Sequence, residues 1–161
     1  MKDKTACFTG HRNIPNNEIE KVREQLYYTI IDLIGRGYCY FGAGGAHGFD
    51  TIAAQTILEL KKEYPHIKLI LVLPCLSQTR GWQESDIKMY EYIKQQADKY
   101  VYTSEKYFNG CMQKRNRHLV DYSSTCICYL NSDSGGTAYT VKYARSKGLN
   151  IINIYEKTVM R

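Results

Sequence analysis

Apolar, strand-like runs alternate along this chain with amphipathic helical stretches, and glycine and small polar residues recur where the strand-like runs end. Phe8-Thr9-Gly10-His11-Arg12 closes the first run, residues 42–50 the second, and Ser132-Asp133-Ser134-Gly135-Gly136-Thr137 a late one. Regular strand-helix alternation lays each crossover helix on a face of the sheet, which makes successive strands parallel. The expected fold is therefore α/β: a Rossmann-like, doubly wound, mainly parallel sheet with helices on both faces. At 161 residues the chain is the size of a single domain, and no linker-like or low-complexity stretch divides it.

The periodicities set the expected boundaries. Residues 5–9 read as a strand and 17–35 as a helix, with Ile19, Val22, Leu26, Ile30 and Leu33 three or four positions apart. A strand at 38–41 and a helix at 51–64, closed by Pro65, come next. Residues 67–73 are continuously apolar except for Lys68, the pattern of a central parallel strand buried on both faces. Helices are expected at 84–97, 112–122 and 136–147, the last ended by Gly148, and strands at 99–103, 125–130 and 150–155. Strand order is not legible in periodicity.

In a parallel sheet all strand ends of one kind lie along one edge, where such folds take their ligands and where helix N-termini direct free N–H groups at anions. The candidate ligand residues are therefore those of the strand-end loops. Thr9, Gly10, His11 and Arg12 offer a hydroxyl, a flexible backbone and two potential cations; Arg12 suits bidentate phosphate contact, while His11 serves as a donor or simply satisfies a carbonyl. Gly42, Gly44, Gly45 and Gly48 allow close backbone approach to a phosphate, although their spacing is neither that of a dinucleotide fingerprint nor that of a Walker loop. Asp50 can accept from ribose hydroxyls or cap the helix that follows it. His47 is expected as a rim residue. Ser134, Gly135, Gly136 and Thr137 open a late helix, with Ser134 as its cap and Thr137 adding a hydroxyl to the N–H groups. In the basic cluster at 114–118, Lys114, Arg117 and His118 share one helix face while Arg115, beside Asn116, points elsewhere and can reach the crevice.

The formal charge of +6 favours anionic partners without requiring nucleic acid. Six cysteines suggest neither disulfides nor zinc: Cys7, Cys39, Cys126 and Cys128 fall in apolar strand-like runs, no CxxC pair occurs, and no structural metal is expected. No run approaches the length of a membrane span and the N-terminus lacks the pattern of a secretory signal, so a cytoplasmic protein with no membrane partner is expected. Trp82, the sole tryptophan, suits core or lid packing better than base stacking. The 15 tyrosines are scattered over many elements, which fits packing and a self-association surface, hence a homo-oligomer, better than a nucleic-acid stacking platform.

Taken together, Thr9-Gly10-His11-Arg12, Gly44-x-x-x-Gly48-x-Asp50, Arg115-Asn116-Arg117 and Gly135-Gly136-Thr137 resemble the SLOG superfamily over nearly the whole chain. That superfamily unites the DNA-processing A (Smf) proteins, the LOG phosphoribohydrolases and small YpsA-like proteins; the opening Thr-Gly-His-Arg and the length are most similar to the YpsA-like group. The resemblance implies a bacterial nucleotide-binding domain whose ligand, a nucleotide or a nucleotide-derived phosphorylated molecule, sits over the strand-end loops. It also raises two alternatives, LOG-like hydrolysis of nucleoside monophosphates and single-stranded DNA binding like that of DNA-processing A proteins. Against hydrolysis, the LOG motif Pro-Gly-Gly-x-Gly-Thr-x-x-Glu ends in a glutamate, and this chain has Thr140 at that place. Binding is thus the expected activity, with the ligand's identity open.

Overall fold

The computed structural model describes residues 1–159. Six strands form one parallel sheet: β1 (Thr5–Gly10), β2 (Tyr40–Ala43), β3 (Lys68–Leu73), β4 (Lys99–Tyr102), β5 (Thr125–Tyr129) and β6 (Asn150–Asn153). Their spatial order is β4-β3-β2-β1-β5-β6. The chain therefore winds outward from β1 to β4, then returns across the sheet to place β5 on the other side of β1. The order reverses between β1 and β5, whose residues pair from Ala6–Thr125 to Gly10–Tyr129.

Helices α1 (Ile19–Gly35), α2 (Phe49–Leu60) and α3 (Glu84–Gln96) cover one face, together with a short α6 (Ile154–Val159) that packs back on α1. Helices α4 (Cys111–Asp121) and α5 (Gly136–Ser146) cover the other. Of the α1 stripe expected from spacing, Val22, Leu26, Ile30 and Leu33 are fully buried against Phe8, Phe41 and the α2 side chains, and Ile19, at the first turn, is half-buried. Each such side chain stabilises the fold by about 1.5–3 kcal/mol. The period of two along β1 and β5 sorts the opposite face: Cys7, Cys126 and Cys128 join Leu119, Val120, Val141 and Ala144 in a smaller core beneath α4 and α5. Burial raises the thiol pKa of Cys128 to about 12, and a hydrogen bond with Cys7 together with burial raises that of Cys126 well above its ordinary value, so these cysteines behave as small apolar side chains. Beside α4, toward β4, a hollow of about 830 Å³ remains, floored by Tyr40, Ile70, Val72 and Val101.

Several expected boundaries move. Strand β2 begins at Tyr40 rather than residue 38, leaving Cys39 outside it and half-buried, because Tyr38 instead reaches across to the hydroxyls of Ser124 and Thr125 at 2.8 and 2.7 Å. Helix α2 starts at Phe49, two residues earlier than expected, and the final strand is cut short at Asn153, where the chain turns into α6. The Asn153 side chain makes that turn, accepting the N–H groups of Leu130 and Tyr155, both at 3.1 Å. Gly148, at φ +81°, ends α5 as expected. Among the described residues, no helix is long and apolar enough to cross a membrane, and no cluster of His, Cys, Asp and Glu is placed to hold a metal ion.

Candidate functional site

The reversal of strand order opens a crevice beyond Gly10 and Tyr129, because the connections leaving β1 and β5 run to opposite faces of the sheet. It holds a cavity of about 340 Å³. Thr9, Gly10, His11 and Arg12 line it from β1, Ala46 and Asp50 from the entry to α2, Met112, Arg115 and Asn116 from α4, and Gly136 and Thr137 from the start of α5.

Arg115 is the best-fixed group of the site. It is only 4% exposed, on the buried face of α4 with Cys111 and Leu119, while Lys114 on the same helix is exposed. The guanidinium rests where a side chain of residue 44 would stand, so the absence of a Cβ at Gly44 is what admits it. Nη1 donates to the Gly44 carbonyl, Nε donates to the Asn116 carboxamide at 2.6 Å, and Nη2 points to the Met112 sulfur at 3.8 Å. Burial lowers its pKa, yet from so high a starting value that the fork stays charged.

Asp50 faces it from α2. Its helix is capped by Gly48, at φ +72°, so Asp50 is not the cap but lies in the first turn, where Oδ2 accepts the Ala46 N–H at 3.2 Å. Oδ1 is buried without a partner. Burial pushes the carboxyl up to about 6, against the opposing pull of Arg115, the Ala46 N–H and Arg12. Around pH 6 the group therefore passes between a protonated form that can donate a hydrogen bond and an ionised form that only accepts.

His11 accepts the Asn131 N–H at Nε2, at 3.1 Å, and its ring stands edge-on to Tyr129. It thus ties the β1 loop to the β5 loop, and burial lowers its pKa against an opposing contribution from its hydrogen bond with Asn131. Arg12 is exposed and makes no hydrogen bond or ion pair among the described residues. At α5 the cap is Gly135, at φ +96°, with no side-chain cap; Ser134, expected to fill that role, instead has its carbonyl accept from the Ser132 hydroxyl at 3.0 Å. The first N–H groups of α5 are left without a capping side chain beside the cavity.

The other glycines lie outside the cavity and serve contacts of their own. Gly42 lies beneath Leu119, letting α4 approach β2, and Gly45, at φ +76°, lies against Leu73, Tyr90 and Gln78. Gly48 packs against the Arg12 backbone, and Phe49 N–H donates to the His11 carbonyl at 3.2 Å, which locks the two loops together. Gly135 and Ser134 are exposed in the loop before α5. Gln78 escaped the sequence reading altogether: it is 7% exposed and donates through Nε2 to the Gly44 carbonyl at 3.0 Å, so that carbonyl receives both Gln78 and Arg115. No local pattern marks it, since its partner is 34 residues away. His47 is not a free rim residue either, for its ring packs on Trp82 at 3.8 Å between centroids.

A doubly wound parallel α/β protein with its crevice at the switch point of the sheet is thus the class that fold and site define. The model of the YpsA family, described as the YspA SLOG family, matches residues 7–157, and the chain belongs to that family. It is 32% identical over 144 residues to the uncharacterized SPbeta prophage-derived protein YoqJ of Bacillus subtilis (strain 168), covering 81% of this chain and 84% of that protein. A UPF0398 protein of Halalkalibacterium halodurans is 31% identical over 141 residues, covering 86% of this chain and 72% of the relative. Among solved structures, DNA processing protein A (DprA) of Streptococcus pneumoniae superposes with a TM-score of 0.69 at 17% identity, over 93% of this chain and 50% of that one. DprA of Helicobacter pylori, described with its single-stranded DNA binding mode, gives 0.66 at 16% identity, over 99% of this chain and 73% of the other. At such identities the likeness is one of fold, and this chain spans half the length of the Streptococcus protein.

Proposed function

We propose that the protein binds or senses, in the cytoplasm, a nucleotide or nucleotide-derived phosphorylated ligand in the crevice between β1 and β5, with residues 1–161 acting as one domain. The observation that carries this reading is the buried Arg115 at a cavity that also holds Arg12, the uncapped start of α5 and a buried Asp50 oxygen without a partner. A phosphate would accept from Arg115, Arg12 and the N–H groups near Gly136 and Thr137. Asp50 would take a sugar hydroxyl. In this reading Thr9, Gly10, His11 and Asn116 shape the cavity, while Gly42, Gly44, Gly45, Gly48, Ser134 and Gly135 hold its loops. Binding rather than hydrolysis is supported by Thr140, whose hydroxyl donates into its own helix, to the Gly136 carbonyl at 2.8 Å, at the place of the glutamate in the LOG motif.

Mass spectrometry of small molecules released from the purified protein tests this directly, alongside thermal shifts with nucleotides, ADP-ribose, NAD and phosphorylated sugars. A member of that set should raise the melting temperature, and Arg12→Ala, at an exposed position, should weaken its binding at least about tenfold, the loss of a charge-assisted contact. Finding no released ligand and no thermal shift with any member of the set would sink the reading.

A second reading, contact with single-stranded DNA, is supported by the DprA fold and by the cations on the outward side of α4. Lys114 is exposed there, and Arg117 is half-buried with its Nη1 on the Tyr139 hydroxyl at 3.0 Å.

A further inference from the structure

A second hollow, of about 760 Å³, lies on the α1–α3 side of the same sheet edge. The turn into α2 is the partition between it and the crevice: Ala46 and Asp50 face the crevice, whereas His47, Gly48 and Thr51 face this cleft. Arg12 lines both. The two spaces therefore meet at a cation that has no hydrogen-bonding partner among the described residues.

The cleft has the surfaces of a slot for a flat molecule. Its aromatic wall is His47 on Trp82, with ring centroids 3.8 Å apart and planes tilted by 38°. Trp82 is steadied from behind by Tyr90, edge-on at 5.5 Å, and the His47 Nδ1 lies 3.8 Å from the Asp86 carboxylate. Ile14, Ile52 and Met89 supply apolar contact. At the rim the Gln55 carboxamide is held in place, its oxygen accepting from Arg23 at 3.0 Å and its nitrogen directed to the Met89 sulfur at 3.4 Å. Apolar and aromatic walls with amide and hydroxyl groups at the rim suit a molecule that is apolar on its faces and polar at its edge, which describes a nucleobase. A phosphorylated sugar alone would leave these surfaces unused, and a lipid chain would lie against the charged Arg12, Arg23 and Asp86 side chains. The crevice alone is at the small end of the range for ligand pockets, about 300 Å³ and upward.

We propose that this cleft is the base-binding compartment of the site: the ligand's phosphate occupies the crevice at Arg115, its backbone crosses at Arg12, and its base stacks against the His47–Trp82 pair. The proposal rests on the phosphate reading of the crevice. It makes Trp82 and His47 the groups that select a nucleotide over other phosphate esters.

Trp82 is the sole tryptophan of the chain, so its fluorescence reports on this cleft alone. Titration of the intact protein with AMP, GMP, CMP and UMP, each compared with ribose 5-phosphate, separates the two compartments. At least one nucleotide should quench Trp82 saturably and bind about tenfold more tightly than ribose 5-phosphate, a difference of the size of one base stack. Trp82→Leu should erase that preference while leaving ribose 5-phosphate affinity unchanged, and Trp82→Phe, which keeps a ring, should retain most of it. Equal binding of nucleotides and ribose 5-phosphate with unaltered Trp82 emission would overturn the base compartment and leave the crevice reading standing. If neither nucleotides nor ribose 5-phosphate bind, the base compartment falls, and the crevice reading falls with it when ADP-ribose, NAD and the other members of the thermal-shift set fail too.

Discussion

Asp50 is surrounded by groups that favour its charge, yet burial outweighs them and sets its carboxyl at about 6. The folded protein thus binds this proton more readily than the unfolded chain does. Its contribution to stability is fully present below about pH 4 and is lost as the pH rises through about 6. At ~1.4 kcal/mol per pH unit, the rise from 3.8 to about 6 amounts to about 3 kcal/mol. Asp50→Asn removes this ionisation while keeping an oxygen for the Ala46 N–H. Calorimetry of both proteins from pH 4 to pH 8 should show the variant gaining on the parent as pH rises, with the difference levelling off above pH 7; a difference that does not vary with pH would refute the assignment. Taking the difference cancels the contributions of His11 and His118, whose pKa values burial moves downward. The sequence placed Asp50 at a strand end and left capping and ligand contact both open. Its unpartnered oxygen came from burial, which depends on α4 closing over it from 65 residues further along the chain.

At the level of elements, α4 is where the sequence reading succeeded and where it ran short. Helical spacing separated Arg115 from Lys114, Arg117 and His118, and that separation is the one observed. What spacing could not supply was the seat of the helix. Gly42 and Gly44, read as phosphate-approaching residues, admit Leu119 and the Arg115 guanidinium respectively, so the glycines of β2 and its loop act on α4 first. A double-mutant cycle checks this. Leu119→Ala should cost about 2–5 kcal/mol as a buried truncation. Gly42→Ala should cost about 1 kcal/mol, since its methyl would lie 2.9 Å from the Leu119 Cδ2 atom, the movable end of a side chain. The double variant should lose less than the two losses combined, because the added methyl enters the space Leu119 vacates. Strict additivity in urea denaturation would show that the two positions do not meet. The glycine signal in the sequence was real, but a missing Cβ looks the same whether it makes room for a phosphate or for a neighbouring side chain.

For the molecule as a whole, the +6 charge gives a field that attracts polyanions, whereas the crevice, as proposed above, would take one small anionic group. The two behave differently with salt. Contact of a single-stranded oligothymidylate with about three cations near α4 should weaken roughly tenfold or more between 50 and 200 mM salt. Lys114→Ala with Arg117→Ala should flatten that dependence without altering nucleotide affinity in the crevice. Fluorescence anisotropy measures both, and binding that is absent at low salt, or indifferent to salt, would remove DNA from consideration. By itself the sequence determined the α/β alternation, the parallel sheet, the buried stripe of α1 and the side of α4 that carries Arg115, because these follow from short-range periodicity and from the chirality of crossovers. Only the tertiary structure decided the strand order, the reversal between β1 and β5 that opens the crevice, the anchoring of Gly44 by Gln78 and the cleft beside Trp82. Each of those depends on contacts between residues tens of positions apart, and such contacts leave no trace in local periodicity.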